Sequence, residues 1–165
     1  MTLYTFGPLA YAECLKMVTS ISKSVKKIFI FYTAQEQNSR GNIYNNCKDA
    51  LSTIQDYFDG VSFPCNCAFI KVWYDERDHI EFPNLTVDVE NPSRLPVFKM
   101  WSSNRKIEGV ECLNAVKLNT YLINEGFQCK PKQEPLERPR MIMQSFGCNN
   151  SSSSGDDIGS VFSWN

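Results

Sequence analysis

The feature that most restricts the fold of this chain is a pair of apolar runs of strand length, separated by an amphipathic helical pattern. The first run, residues 28 to 32, is IFIFY, and the second, residues 67 to 74, is CAFIKVWY. Continuous apolar strands of this kind are typical of sheets that helices cover on both faces. The chain is therefore expected to form an α/β fold.

Apolar residues at helical spacing predict three helices around these strands. The first runs from Tyr11 to Ile21 and has Pro8 in its first turn, a position that suits proline. The second has Asn46 as a cap, continues through residues 50 to 58 and stops at Gly60. The third covers residues 113 to 123.

The chain after residue 95 predicts two more strands. Residues 96–101 and 105–111 flank a short polar turn, which is typical of an antiparallel hairpin. The segment 75–95 is polar and is expected to be loop with one short helix. Parallel strand-helix-strand units followed by a hairpin predict a central mixed β-sheet flanked by helices.

A change of composition divides the chain. Its 165 residues allow one substantial core, which we place in a domain of residues 1–127. Residues 128–165 are rich in Pro, Ser and Asn and are expected to be a disordered tail. Apolar residues near the end, from Ile158 to Trp164, leave a short docking peptide as the alternative for that stretch.

Charge and the absence of targeting features predict a soluble cytoplasmic protein. The chain has 17 basic and 18 acidic residues, with no basic cluster in residues 1–127, so neither nucleic acid nor a membrane surface is an expected partner. No segment approaches the ~20 apolar residues of a membrane span, and the first residues do not look like a signal peptide. The seven cysteines are irregularly spaced and are expected to be free thiols.

Several segments in order resemble the small cytosolic thioredoxin-related proteins of the fourteen-kilodalton type. KKIFIFYTAQEQNSRGNIYNNCKDAL, residues 26–51, resembles their active-site strand, loop and helix start. CAFIKVWYD, LPVFKMW and RKIEGVECLNAVKLNTYL resemble the next strand, the strand after the proline of the fold, and the closing strand and helix. The resemblance covers about residues 4 to 127. It implies a thioredoxin-like fold and the family's protein-disulfide reductase activity, in which a thioredoxin reductase recycles a cysteine pair.

The active-site motif is degenerate in this chain. Where the family has Trp-Cys-Pro-Asp-Cys, this sequence has Ile43-Tyr44-Asn45-Asn46-Cys47, so Tyr44 stands at the attacking cysteine and Cys47 at the resolving one. A phenol has a pKa of about 10 and forms no exchangeable bond to sulfur, so the dithiol cycle is not expected. The chain is therefore an incomplete member of an enzyme family.

Three roles are open to Cys47. It is interpreted first as a small buried side chain in the first turn of the helix. It is alternatively a monothiol that the helix dipole ionises, or the partner of a second thiol such as Cys112. Cys47 is thus the only candidate for a catalytic residue, and it occupies the position of the resolving cysteine.

Pro96 is the other site residue that the resemblance implies. In the family this proline is cis and lies beside the active site, where its backbone neighbours bind extended substrate segments, so we expect Pro96 to be cis and part of a substrate groove. The sequence predicts a protein-binding module whose partners are proteins or peptides at the Cys47/Pro96 face. The alternative is a residual thiol-disulfide oxidoreductase that uses Cys47 with a second thiol or glutathione and has thioredoxin reductase as a partner.

The remaining chemistry-bearing residues point to no cofactor and no metal. Cys65, Cys67, His79 and Cys112 are potential zinc ligands, but their spacing matches no common zinc site. Cys65 and Cys67 are interpreted as packing at the start of a strand, with a strained redox pair as the alternative. His79 is interpreted as a solvated loop residue.

Overall fold

The computed structural model describes residues 1–36 and 42–132, and the backbone of residues 142–145 and 160–163. It has two compact units, Met1–Lys132 and Gln133–Asn165. The first unit contains strands β1 (Leu3–Leu9), β2 (Lys27–Thr33), β3 (Val61–Ser62), β4 (Cys67–Trp73), β5 (Val97–Met100), β6 (Lys106–Glu108) and β7 (Lys130–Pro131). Its helices are α1 (Tyr11–Ile21), α2 (Asn42–Asp59), α3 (Asp78–Glu81), α4 (Asn84–Asp88) and α5 (Ala115–Asn124), with 3-10 turns at Pro92–Arg94 and Gly109–Leu113.

Five strands form a mixed sheet in the order β1-β4-β2-β5-β6. The strands β1, β4 and β2 are parallel, and β5 and β6 add antiparallel pairs. Alternate residues of β2 enter two apolar clusters: Ile30 lies with α1 and α4, and Phe29 lies with α2 and α5. The predicted α/β class, with a central mixed sheet flanked by helices, is therefore confirmed.

The N-terminal strand β1 was not predicted from the sequence, and the prediction for Pro8 was wrong. Pro8 lies in β1, after a cis Gly7–Pro8 bond, and α1 begins at Tyr11. An edge strand tolerates proline because one row of its N–H groups forms no ladder. Because β1 is an edge strand and none of its residues is fully buried, its apolar residues do not form the continuous run that marks β2.

The helix α2 begins at Asn42, four residues before the predicted cap at Asn46. The side chain of Ile43 packs on the same apolar cluster as Cys47, one turn further on. Burial of Ile43 therefore extends the helix through a polar stretch that shows little periodicity. As a result Cys47 lies in the second turn, and its predicted first-turn position is wrong.

Smaller differences occur near the C-terminal end of the first unit. The second strand of the hairpin ends at Glu108 and is followed by a 3-10 turn, and Asn114 caps α5 by accepting from Val116 N and Lys117 N. The strand β7 pairs with β3, so residues 128–132 belong to the first unit.

The second unit is described only in part. Its strands β8 (Ile142–Ser145) and β9 (Ser160–Ser163) pair in antiparallel register. The rest of the predicted disordered tail, with Ile158 and Trp164 of the docking-peptide alternative, lies outside the described residues. In the parts of the chain that the structure describes, no helix combines the length and apolar character needed to cross a bilayer.

Candidate functional site

The predicted site residues gather at the sheet edge where β2 and β4 end and β5 begins. Ala34 directly follows β2, and Tyr74 directly follows β4, with Tyr74 N–H donating to Thr33 O at 2.9 Å. The Leu95–Pro96 pair precedes β5, which is the other neighbour of β2. The helix α2 begins beside this edge and contributes Tyr44 and Cys47.

Cys47 is a buried thiol. Its side chain is only 1% exposed, and the backbone N–H of Ala34 donates to Cys47 Sγ at 3.4 Å. Burial raises the pKa of the Cys47 thiol above its ordinary value, although hydrogen bonds from Ala34 N–H and the Thr33 side chain partly offset this effect. The helix dipole acts within the first turn, and Cys47 lies beyond it. This environment favours the protonated thiol, which is neither an efficient nucleophile nor a metal ligand.

Cys112 lies under the same edge but forms no bond with Cys47. Its Sγ donates to Ile107 O at 3.4 Å and to Pro96 O at 3.7 Å, and burial raises its pKa to about 12. The six cysteines in the described residues are all free thiols, and Cys148 lies outside those residues. In this state, Cys112 is a packed core residue.

Tyr44 lies in the first turn of α2 and is half-buried. It precedes Cys47 by three residues, a spacing that places two side chains on the same side of a helix. The ammonium group of Lys48 lies 5.8 Å from the centre of the Tyr44 ring. The position that the resemblance would assign to an attacking thiol therefore holds a phenol beside a cation.

Pro96 follows a cis peptide bond with Leu95, as predicted. Leu95 N–H donates to Pro92 O at 3.3 Å, and Pro96 O accepts from Gly109 N–H at 2.8 Å. These bonds fix the segment that leads into β5. Its direction is thus set by main-chain contacts on both sides of the proline.

Two surface hollows flank the segment before Pro96, and both are lined by Ser93 and Leu95. The first hollow has a volume of about 490 Å³, and its wall includes Ala34, Ile43, Tyr74, Asp75 and Arg77. The second hollow has a volume of about 450 Å³, and its wall includes Asn46, Arg94, Glu108, Val110 and Glu111. Both volumes lie in the range of ordinary ligand sites, about 300 to 1,000 Å³.

Most charged groups in the walls of the hollows are paired with another charged residue, whereas Glu76 of the first hollow forms no ion pair within the described residues. In the first hollow, Arg77 lies 2.6 Å from Asp75 and, by hydrogen bonding, lowers the pKa of Asp75 to about 2. In the second, Glu108 lies 3.4 Å from Arg94 and 2.9 Å from Lys106. Paired charges favour an uncharged occupant over a strongly charged one.

The interpretation of His79 as a solvated loop residue is wrong. His79 is part of α3, with Nε2 at 2.7 Å from Tyr74 Oη and Nδ1 at 2.9 Å from Thr86 Oγ1. Burial, followed by nearby carboxylates with Glu76 first among them, raises the pKa of Tyr74 to about 12. His79 therefore joins α3 and α4 to the wall of the first hollow.

The four residues named above as potential zinc ligands are not brought together. Cys67 begins β4, whereas His79 follows its end, a separation of about 20 Å along seven strand residues. Within residues 1–36 and 42–132, no group of three or more His, Cys, Asp or Glu side chains could hold a metal ion.

Sequence reasoning missed most residues of the hollows, among them Tyr74, Ser93 and Leu95. Leu95 could have been found because it precedes the proline, where the backbone faces the site. The sequence carries no comparable signal for Ser93 or Tyr74, since the hollows join segments that are far apart in the chain.

Comparison with known proteins gives no information on the function of this site. No protein-family model matches the chain, and no curated protein matches it either. The edge combines two buried thiols, Cys47 and Cys112, with a cis proline and two open hollows. Such an arrangement can bind a chain segment without exchanging disulfides with it.

Proposed function

We propose that this protein is a thioredoxin-related protein with a thioredoxin-like fold that has lost dithiol catalysis and acts as a protein-binding module. The proposed fold is supported by a mixed sheet that ends in an antiparallel hairpin and by the cis Leu95–Pro96 bond directly before β5. The order in which the buried strand β2 is followed along the chain by α2 is a further feature expected of that fold. The cytoplasmic location is part of the same proposal, because the sequence resemblance implies it.

The observation that carries the loss of catalysis is the burial of Cys47. A dithiol reductase needs an accessible thiolate to attack the substrate and a second thiol to resolve the mixed disulfide. Here the first position is Tyr44, and the remaining thiol is 1% exposed with a raised pKa. Both requirements are unmet at this edge.

The binding function rests on the surface around Ser93 and Leu95. Both hollows are lined by these residues, and Ser93 is exposed whereas Leu95 is buried, so an occupant that crosses Ser93 contacts both hollows. An extended chain advances about 3.3 Å per residue, so a segment of a few residues spans such a surface. The partner class is therefore an extended, largely uncharged segment of a protein.

A coupled enzyme assay tests the loss of catalysis. The full-length protein is assayed for NADPH-dependent reduction of a small disulfide in the presence of a thioredoxin reductase, with Cys47→Ser and Cys14→Ser as variants. Cys14 is a suitable control because it is also buried, at 0% exposure, but lies on α1. All three proteins are expected to match the reductase-only blank. Activity that disappears in Cys47→Ser and persists in Cys14→Ser would establish a residual oxidoreductase that uses Cys47.

A peptide selection tests the binding function. Peptides from a random library are selected on the full-length protein, and their affinities are measured for wild type, Ser93→Arg and the control Ser20→Arg. Both serines are exposed, but only Ser93 lines the hollows. Filling the junction of the hollows is expected to weaken binding at least about tenfold, the loss of roughly 1.4 kcal/mol of contact. Equal affinities in the two variants would locate the binding surface elsewhere and refute the proposal.

A further inference from the structure

A second group of thiols lies at the opposite edge of the sheet from Cys47. Cys67 is the first residue of β4, whereas the hollows lie beyond the end of that strand. Cys65 and Cys129 lie near it, and all three are free thiols that contact the apolar cluster between the sheet and helices α2 and α5. This group is separate from the edge discussed above.

The backbone around Cys65 and Cys67 is held firmly. Thr2 N–H donates to Asn66 Oδ1 at 3.1 Å, Lys26 N–H donates to Asn66 O at 3.0 Å, and Cys67 N–H donates to Thr2 O at 3.0 Å. These bonds attach the residue between the two cysteines to the starts of β1 and β2. The relative position of the two side chains is therefore fixed by the sheet.

The two sulfur atoms are already close to each other. Cys65 Sγ and Cys67 Sγ are 3.8 Å apart, and Cys67 Sγ donates to Cys65 O at 3.3 Å. A disulfide requires a separation of about 2.05 Å, so oxidation must bring the two sulfur atoms closer together by less than 2 Å.

The two thiols differ in accessibility. Cys65 is half-buried between the exposed Pro64 and the start of β4, whereas Cys67 is completely buried. A dissolved disulfide can therefore reach Cys65 first. Lys27 pairs with Cys67 across the sheet and slightly offsets the rise that burial causes in the pKa of the Cys67 thiol, so one cation lies beside the pair.

We propose that Cys65 and Cys67 form a thiol pair that is reversibly oxidised by low-molecular-weight disulfides, with glutathione disulfide as the matching reagent. The Cys65 thiolate attacks one sulfur of glutathione disulfide, which breaks its S–S bond and releases one glutathione thiolate. The Cys67 thiolate then attacks Cys65 Sγ, which releases the second glutathione and forms the Cys65–Cys67 disulfide. In total the protein loses two protons and two electrons, and glutathione disulfide becomes two molecules of glutathione.

The second step depends on the short distance between the two sulfur atoms. Burial raises the pKa of Cys67 most strongly, and the neighbouring Cys65 thiol raises it further, so only a small fraction of Cys67 is ionised near neutral pH. That fraction reacts because Cys65 Sγ is only 3.8 Å away, whereas the residue one turn before Cys47 is Tyr44, which forms no disulfide. The acidic groups of glutathione also suit a site with Lys27 beside Cys67.

Peptide mapping tests this proposal on the full-length protein. The reduced protein is incubated with glutathione disulfide near neutral pH, quenched with acid, alkylated and digested with trypsin. Cys65 and Cys67 are then the two cysteines of peptide 49–71, whereas Cys47 lies in peptide 41–48 and Cys129 in peptide 118–132. The three regions are therefore measured separately.

In the wild type, peptide 49–71 is expected to lose two hydrogens and both alkylation sites, at least about tenfold faster than peptide 41–48 is modified, because a thiol must be accessible to react. Dithiothreitol should reverse the change. Cys67→Ser should retain one glutathionyl group on Cys65, and Cys65→Ser should show neither product. Cys129→Ser is the matched control and should oxidise like the wild type.

Other products would overturn the proposal. A cross-link between peptides 49–71 and 118–132 would assign the partner role to Cys129, and a stable glutathionyl adduct in the wild type would exclude the pair. If both cysteines of peptide 49–71 are still alkylated after incubation with glutathione disulfide, Cys65 and Cys67 do not react and the proposal is wrong. Cys65→Ser alters a half-exposed side chain, so this test holds even where the buried Cys67→Ser fails to fold.

Discussion

Lys99 Nζ donates to Asp88 Oδ1 at 2.5 Å in the interior of the first unit, where the two side chains are only 8% and 12% exposed. Tyr32 Oη donates to the other carboxylate oxygen at 2.6 Å. Lys99 is the register partner of Ile30, so it faces the side of the sheet that α1 and α4 cover. Each charge therefore depends on the other, because a buried unpaired charge costs several kcal/mol.

Replacing one member of this pair is expected to lower the stability of the protein strongly. Lys99→Met leaves the Asp88 carboxylate buried with only Tyr32 as a donor, and the free energy of unfolding should fall by about 3 to 5 kcal/mol. Urea denaturation measures this change, with the exposed Lys26→Met as the control. The double variant Asp88→Asn/Lys99→Met should recover much of the loss. If the double variant is as unstable as the sum of its single variants, the two side chains are not coupled.

The contact between Ala34 and Cys47 gives a second prediction. Cys47→Ala removes the acceptor of the buried Ala34 N–H and leaves a small cavity, so the free energy of unfolding should fall by about 2 kcal/mol. Cys47→Ser keeps an acceptor and should lose less. Urea denaturation of both variants compares them directly. Equal losses would mean that the hydrogen bond contributes little to stability.

The sequence predicted the elements whose pattern is local and strong. Continuous apolar runs predicted β2 and β4, and the polar turn predicted the hairpin of β5 and β6. The strand β1 has no fully buried residue and contains Gly7 and Pro8, so it lacks both a continuous run and strict alternation. Residues 42 to 46 are mostly polar, and their helical state follows from packing of Ile43 that spacing does not reveal.

The candidate site was predicted only where a motif or the resemblance marked it. Cys47, Tyr44 and Pro96 lie at one edge of the sheet because α2 follows β2 and Pro96 precedes β5. The hollows depend on how Tyr74, Ser93 and Leu95 meet in space, and chain order does not encode that meeting. The sequence did contain a sign of the buried Lys99–Asp88 pair. Lys99 interrupts an otherwise apolar strand, and a buried lysine needs an acidic partner.

Buried thiols predict that the first unit loses stability at alkaline pH. Burial raises the pKa of Cys14 and of Cys112 from 9.0 to about 12. Between these values the unfolded chain releases a proton that the folded protein retains. Stability is therefore fully present well below pH 9 and should fall by up to about 1.4 kcal/mol per pH unit for each thiol as the pH rises towards 12.

Urea denaturation at pH 9 and pH 10 measures this slope before most tyrosines ionise. Cys112→Ala is less stable than the wild type at both values because of its cavity, but its loss between the two pH values should be smaller by about 1 kcal/mol. The stability of the double variant Cys14→Ala/Cys112→Ala should depend on pH still less. Identical slopes in all three proteins would show that ionisation of these thiols does not control alkaline stability.

The assignment of Tyr44 to the attacking position predicts that a thiol placed there restores a reactive pair. Tyr44 is half-buried in the first turn of α2, on the same side of the helix as Cys47. A thiolate in the first turn is also favoured by the helix dipole. Tyr44→Cys should therefore lose two more titratable thiols than the wild type after oxidation by glutathione disulfide and should gain activity in the coupled reductase assay.

The matched control is Asn45→Cys, because residue 45 is exposed and two positions before Cys47, where side chains do not face each other. If both variants lose the same number of thiols, residue 44 has no special relation to Cys47, and the active-site assignment is wrong.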